Sequence, residues 1–120
     1  MACNPHAVAP DPDLVARVDT LVAETTGITR RAMFGGMAWM LDGRMACGVV
    51  GDDLVARIGD DAVPSALDMP GTRPMDFTGR VMRAYVFVGP EGTRDDGDLS
   101  IWVERCLAFA ASLPPRPPGD

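Results

Sequence analysis

Arg30 and Arg31 stand just ahead of Met33, Phe34, Gly35 and Gly36. This is the one stretch where adjacent positive charge meets adjacent glycines. Side-chain-free backbone can approach a phosphate or carboxylate closely, and two guanidinium groups would supply the counter-charge. An anion or small-molecule site at Arg30, Arg31, Met33, Phe34, Gly35 and Gly36 is therefore one reading. The segment matches neither G-x-G-x-x-G nor G-x-x-x-x-G-K-[ST], and no helix start follows it. The plainer reading is a bulge or a close backbone approach within a strand, with the arginines as a surface pair beside it.

Other residue types offer less. Met33, Met37, Met40 and Met45 lie close together in sequence, and thioethers suit a soft ion such as Cu(I). Methionine serves more often as a flexible filler of a core or of a surface for protein partners, so a Met-rich sheet face or dimer seam is expected instead. The paired carboxylates Asp52-Asp53 and Asp95-Asp96 fall where a turn and a helix cap are expected. Ser65 and Ser100 have no histidine partner except His6, in the N-terminal arm, so no hydrolytic triad is expected. Three cysteines without a C-x-x-C pair do not make a zinc site. Cys47 and Cys106 read as small buried hydrophobes, and Cys3 as a tail thiol. Trp39 and Trp102 are either core or interface anchors. The expectation is a protein that is not an enzyme, with no metal and no cofactor.

Charge narrows the partners. The formal net charge is −6, and all eleven basic residues are arginines, scattered apart from Arg30-Arg31. A domain that grips nucleic acid by its phosphates needs a basic face, so direct nucleic-acid binding is not expected. No apolar run approaches the ~18–20 residues of a membrane span. The N-terminus lacks the basic start and apolar segment of a secretory signal, which places the expected location in the cytoplasm.

The elements that must position these residues follow from pattern. Of 120 residues, 47% are hydrophobic and 23% charged, as in an ordinary globular domain. Residues 1–10 read as a disordered arm, residues 11–113 as the folded domain and residues 114–120 as a proline-rich tail. Asp11-Pro12 opens a helix whose apolar face is Leu14, Val15, Val18, Leu21 and Val22, with Gly27 to stop it. A three-stranded meander comes next, turning at Asp42-Gly43 and at Gly51-Asp52-Asp53. Asp60 or Asp61 caps a short helix to Leu67, with Pro64 in its first turn. Met75–Thr78 and Arg80–Val88 are extended, Gly89-Pro90-Glu91-Gly92 is a turn, and the acidic run from Asp95 caps a final helix through Leu99, Trp102, Val103, Cys106 and Ala110. The order α-β-β-β-α-β-β-α predicts a two-layer α+β fold, an antiparallel sheet of about five strands with helices on one face.

In this order the chain resembles the N-terminal domain of the TfoX/Sxy competence-regulator family. The resemblance rests on Arg31-Ala32-Met33-Phe34-Gly35-Gly36, Leu41-Asp42-Gly43 and Asp52-Asp53-Leu54. Phe77, Tyr85, Phe87 and Trp102-Val103 continue it, so that it spans roughly Leu14 to Leu113. It implies a two-layer fold of the kind seen in secretion chaperones, which often dimerise. The best-known members are transcriptional co-activators of competence genes that act with a cyclic-AMP receptor protein and carry a second, C-terminal domain. The resemblance supplies no catalytic residues. It implies a regulatory or adaptor domain, a homodimer that works through protein–protein contacts, with transcription machinery as the partner class.

Overall fold

Asp11 starts the first helix as its sequence demands. Its carboxylate accepts from the Asp13 amide at 3.0 Å, and Pro12 occupies the first turn of α1 (Pro12–Val22), where a missing N–H leaves nothing unpaired. Leu14, Val18 and Val22 are buried. The computed structural model describes residues 9–33, 35–77 and 80–114, with the side chains of Met33, Asp76, Phe77 and residues 80–82 outside the description. The expected arm before Ala9, with Cys3 and His6, and the tail after Pro114 therefore lie outside the described residues. So does Phe34.

Helix α1 ends at Val22, well before Gly27. The next residues bring no apolar side chain to the buried stripe, and Thr25 N closes a turn on Val22 O at 3.0 Å. Beyond Gly27 lies a strand that the periodicity did not predict, β1 (Ile28–Met33). It pairs with β2 (Gly36–Leu41), which is followed by β3 (Arg44–Val50) and β4 (Asp53–Arg57). Asp42 and Gly43 both have positive φ, as a two-residue hairpin turn requires. Gly51-Asp52 makes the next reversal.

A 3-10 turn at Asp60–Ala62 leads into α2 (Val63–Ala66), with Pro64 in its first turn. Neither Asp60 nor Asp61 caps it: the capping positions are Gly59 and Ala62, without a side-chain bond. Strands β5 (Thr72–Phe77) and β6 (Arg80–Val88) follow. The stretch expected to be a turn at Gly89 is instead a short helix, α3 (Pro90–Thr93), because Pro90 falls at its first turn and Arg94 N closes on Pro90 O at 2.8 Å. In α4 (Asp96–Ser112), the Asp95 carboxylate accepts from the Gly97 amide at 2.9 Å.

The sheet is antiparallel and six-stranded, in the order β1-β2-β3-β4-β6-β5. The α+β class and the helices on one face agree with expectation; β1 makes the sixth strand. Helices α1 and α4 cover the face that carries Trp39, Cys47, Val49, Leu54 and Val86. The pairing shifts between Trp39↔Cys47 and Met40↔Met45, leaving Ala46 as an extra residue in β3. That bulge puts Ala46 and Cys47, although adjacent, into the same helix-side core. The opposite face has a smaller cluster of Ala38, Met40, Met45, Val55 and Met75.

Arginines fasten the helices to this frame. Arg17 of α1 reaches Asp96 Oδ1 from Nε at 3.0 Å and from Nη2 at 2.8 Å, and donates to Thr93 O at 2.6 Å. Arg44 of β3 donates to Leu113 O and Pro114 O, just past the C-terminus of α4. A cation there also suits the negative end of the helix dipole.

Candidate functional site

The six residues singled out in sequence do not converge on one site. Arg30 and Arg31 are neighbours in β1, so they project to opposite faces of the sheet. Arg30 lies across from Trp39 and donates from Nη1 to Asp19 Oδ2 at 2.8 Å. Asp19 Oδ1 accepts the Trp39 indole N–H at 2.9 Å. One carboxylate of α1 thus satisfies the polar atom of a fully buried tryptophan and holds the arginine beside it. Arg31 faces the other way and is exposed.

The glycine pair is split rather than bulged. Gly35 lies in the β1–β2 turn with φ +76°, and Gly36 is the first residue of β2, paired with Met33. A Cβ on Gly36 would collide with the carbonyl of Val49. Its bareness therefore serves the close approach of β2 and β3, and that space is already filled. The Met33 side chain and Phe34 lie outside the described residues.

The remaining nominated groups have structural places. Trp39 and Trp102 are 0% and 2% exposed, which assigns both to the core. Met40 and Met45 form the far-face cluster with Met75, whereas Met37 packs on the helix side, so the methionines do not share one face. Cys47 and Cys106 are free and buried. Burial pushes the Cys106 thiol up to about 12 and raises that of Cys47 well above its ordinary value, so neither is a ready nucleophile. Asp53 accepts from Arg73 Nη2 at 2.8 Å, and Asp95 is the α4 cap. Among the described residues, no three metal-ligating side chains gather to hold an ion. No described helix is long and apolar enough to cross a membrane.

Arg57 escaped sequence reasoning. Its guanidinium lies 5.7 Å from the Tyr85 ring centre and 5.6 Å from that of Phe109, and Nη1 donates to Met45 O at 3.2 Å. The acceptor lies next to the Ala46 bulge, where the ladder is interrupted, so Arg57 serves a carbonyl near that irregularity. Its Nε is buried without a partner. The available signal was an arginine at the end of the apolar run Leu54-Val55-Ala56.

Of the clefts near the start of α4, two contrast in chemistry. One, of about 510 Å³, is polar and lined by Asp11, Asp13, Arg17, Asp52, Arg94 and Asp96, among others. Its Arg17 is committed to α4, as described above. The other, of about 190 Å³, runs between the Met69-Pro70 corner, α3 and one flank of α4. Gly92 and buried Trp102 lie at its base, Met69 and Ile101 are exposed beside it, and Glu91 and Asp98 bring acid to it. Gly92 is indispensable to this shape: a Cβ there would sit 2.6 Å from both Pro70 O and Val88 Cγ1.

A family model for the TfoX N-terminal domain matches residues 20–110. The chain belongs to that family. The match covers the whole sheet and nearly all of α4, but only the end of α1. Within it the apolar cleft lies entirely inside the matched span, whereas the polar cleft draws Asp11, Asp13 and Arg17 from ahead of it. No match was found among curated proteins or among solved structures.

Proposed function

We propose that this TfoX N-terminal domain is a non-catalytic regulatory or adaptor module that acts through protein–protein contacts. The observation that carries the reading is family membership over residues 20–110. Two features support it. The net charge of −6 disfavours gripping phosphates directly and directs the domain towards protein partners. The exposed apolar residues beside the α4 cleft offer such a partner a contact. In this reading the domain is a cytoplasmic homodimer, and its partner belongs to the transcription machinery, as for competence co-activators. The alternative of anion or small-molecule binding beside Gly35-Gly36 has less support, since Arg30 is already engaged by Asp19.

The test is affinity capture from nuclease-treated native lysate, followed by rebinding of each captured protein in purified form. The expected result is a transcription regulator or polymerase subunit that rebinds the purified domain. A captured set in which no purified protein rebinds, together with a co-purifying small molecule that stabilises the domain, would contradict the proposal.

A further inference from the structure

The apolar cleft on the flank of α4 combines exposed apolar side chains with two carboxylates. Asp98, Ile101 and Trp102 stand at i, i+3 and i+4, so they share one side of the helix. Met69 and Pro70 face them from the loop before β5, and α3 supplies Glu91 and Gly92. Ile101 is 54% exposed and Met69 42%, the two most exposed of the large apolar side chains among the described residues. Both belong to this one cleft. Glu91 and Asp98 take part in no ion pair among the described residues. An apolar trough with unneutralised acid at its sides is half of a complementary pair.

We infer that this cleft docks a basic amphipathic helix of another protein, which inserts one large apolar side chain between Met69 and Ile101 and sets arginine or lysine against Glu91 and Asp98. The inference rests on the adaptor reading and names its surface and the chemistry of its partner. The volume fits a single anchor: the cleft holds about 190 Å³, and a cavity of roughly 150 Å³ admits benzene. A second copy of this chain is the wrong occupant. A two-fold contact centred on the cleft would bring the Glu91 and Asp98 carboxylates of both copies together, and like charges across an interface oppose association. Nucleic acid is repelled by the same carboxylates. A buried apolar anchor ringed by polar contacts is the usual energetic plan of a protein interface, and an amphipathic helix can present such an anchor to a groove.

The experiment is fluorescence anisotropy of three labelled helical peptides titrated with the full chain. The first carries a tryptophan anchor flanked by arginines. The second replaces the tryptophan with alanine, and the third replaces the arginines with glutamates. The first is expected to bind, the second roughly tenfold more weakly, and the third not at all. Ile101→Ser in the protein is expected to weaken the first peptide by roughly tenfold, and Glu91→Gln with Asp98→Asn to flatten the salt dependence of binding. Circular dichroism melting of each variant confirms that the fold is kept. Equal binding of the acidic peptide, indifference to Ile101→Ser, or no binding of any peptide would overturn the assignment. So would sedimentation showing that Ile101→Ser dissociates a dimer, which would make a second copy the occupant. These failures concern the cleft alone; the adaptor reading is judged by capture and rebinding.

Discussion

The β1–β2 hairpin and the α4 cleft invert each other. In the hairpin, residues that look chemical in sequence are consumed by the fold: Arg30 and Trp39 share Asp19, and the space above Gly36 belongs to Val49. In the cleft, residues that look ordinary in sequence are left unused by the fold, with Met69 and Ile101 exposed and Glu91 and Asp98 in no ion pair among the described residues. Residue type alone therefore misleads about function. What separates a structural from an available group is whether its hydrogen bonds, charge and apolar area are already satisfied within the domain.

The contrast makes unequal demands on stability, and mutation can break it. Trp39→Ala is expected to cost the most, about 3–5 kcal/mol, since it empties a fully buried site; urea denaturation would measure it. A loss below 1 kcal/mol would mean that the hairpin is not seated as described. Asp19→Ala strands the Trp39 indole N–H and frees Arg30. An unsatisfied buried donor costs about 1–3 kcal/mol, and the lower end is expected because the Asp19 side chain is 42% exposed and water can replace it. The same denaturation series checks this value.

Alkaline pH tests the core beneath both regions. Burial raises Cys106 to about 12 and Cys47 well above the ordinary value of 9.0. The folded state therefore keeps both thiols protonated where the unfolded chain has lost those protons. Their contribution is intact below pH 9, and for Cys106 it falls as pH rises from there towards about 12; Cys47 acts in the same direction. Cys106 contributes a slope of about 1.4 kcal/mol per pH unit within that window. Urea midpoints measured across the range should fall less steeply for the Cys47→Ala, Cys106→Ala double variant. The smallest effect belongs to the cleft: Ile101→Ser should change stability by no more than about 0.5 kcal/mol, as read by the same melts. A large loss would show that Ile101 supports the fold and is not held available.

Much of this frame was legible in the chain. Asp11-Pro12 and Leu14, Val18 and Val22 announced α1, and Asp42-Gly43 announced a hairpin, because caps, periodicity and turn geometry are local physics. Strand β1 was not legible: Thr29, Arg30, Arg31 and Ala32 are all exposed at a sheet edge, where alternation carries no burial signal. The glycine pair in sequence predicts a bulge or a close backbone approach, and Gly36 makes the close approach. Its division between a turn and a strand start depends on the pairing with β1, which the local pattern does not encode. Trp39 and Trp102 could not be assigned to core or interface, since burial is decided by α1 and α4 packing on the sheet. The cleft was invisible for a related reason. Met69, Glu91 and Ile101 are distant in sequence and meet only because Gly92 lets α3 press against Pro70.

The most direct test compares Ile101→Ser with Arg31→Ser for binding of the arginine-flanked tryptophan peptide in one titration series. The account predicts that Ile101→Ser weakens binding roughly tenfold and that Arg31→Ser leaves it unchanged. Loss of binding through Arg31 with Ile101 indifferent would contradict it and return the functional surface to the hairpin.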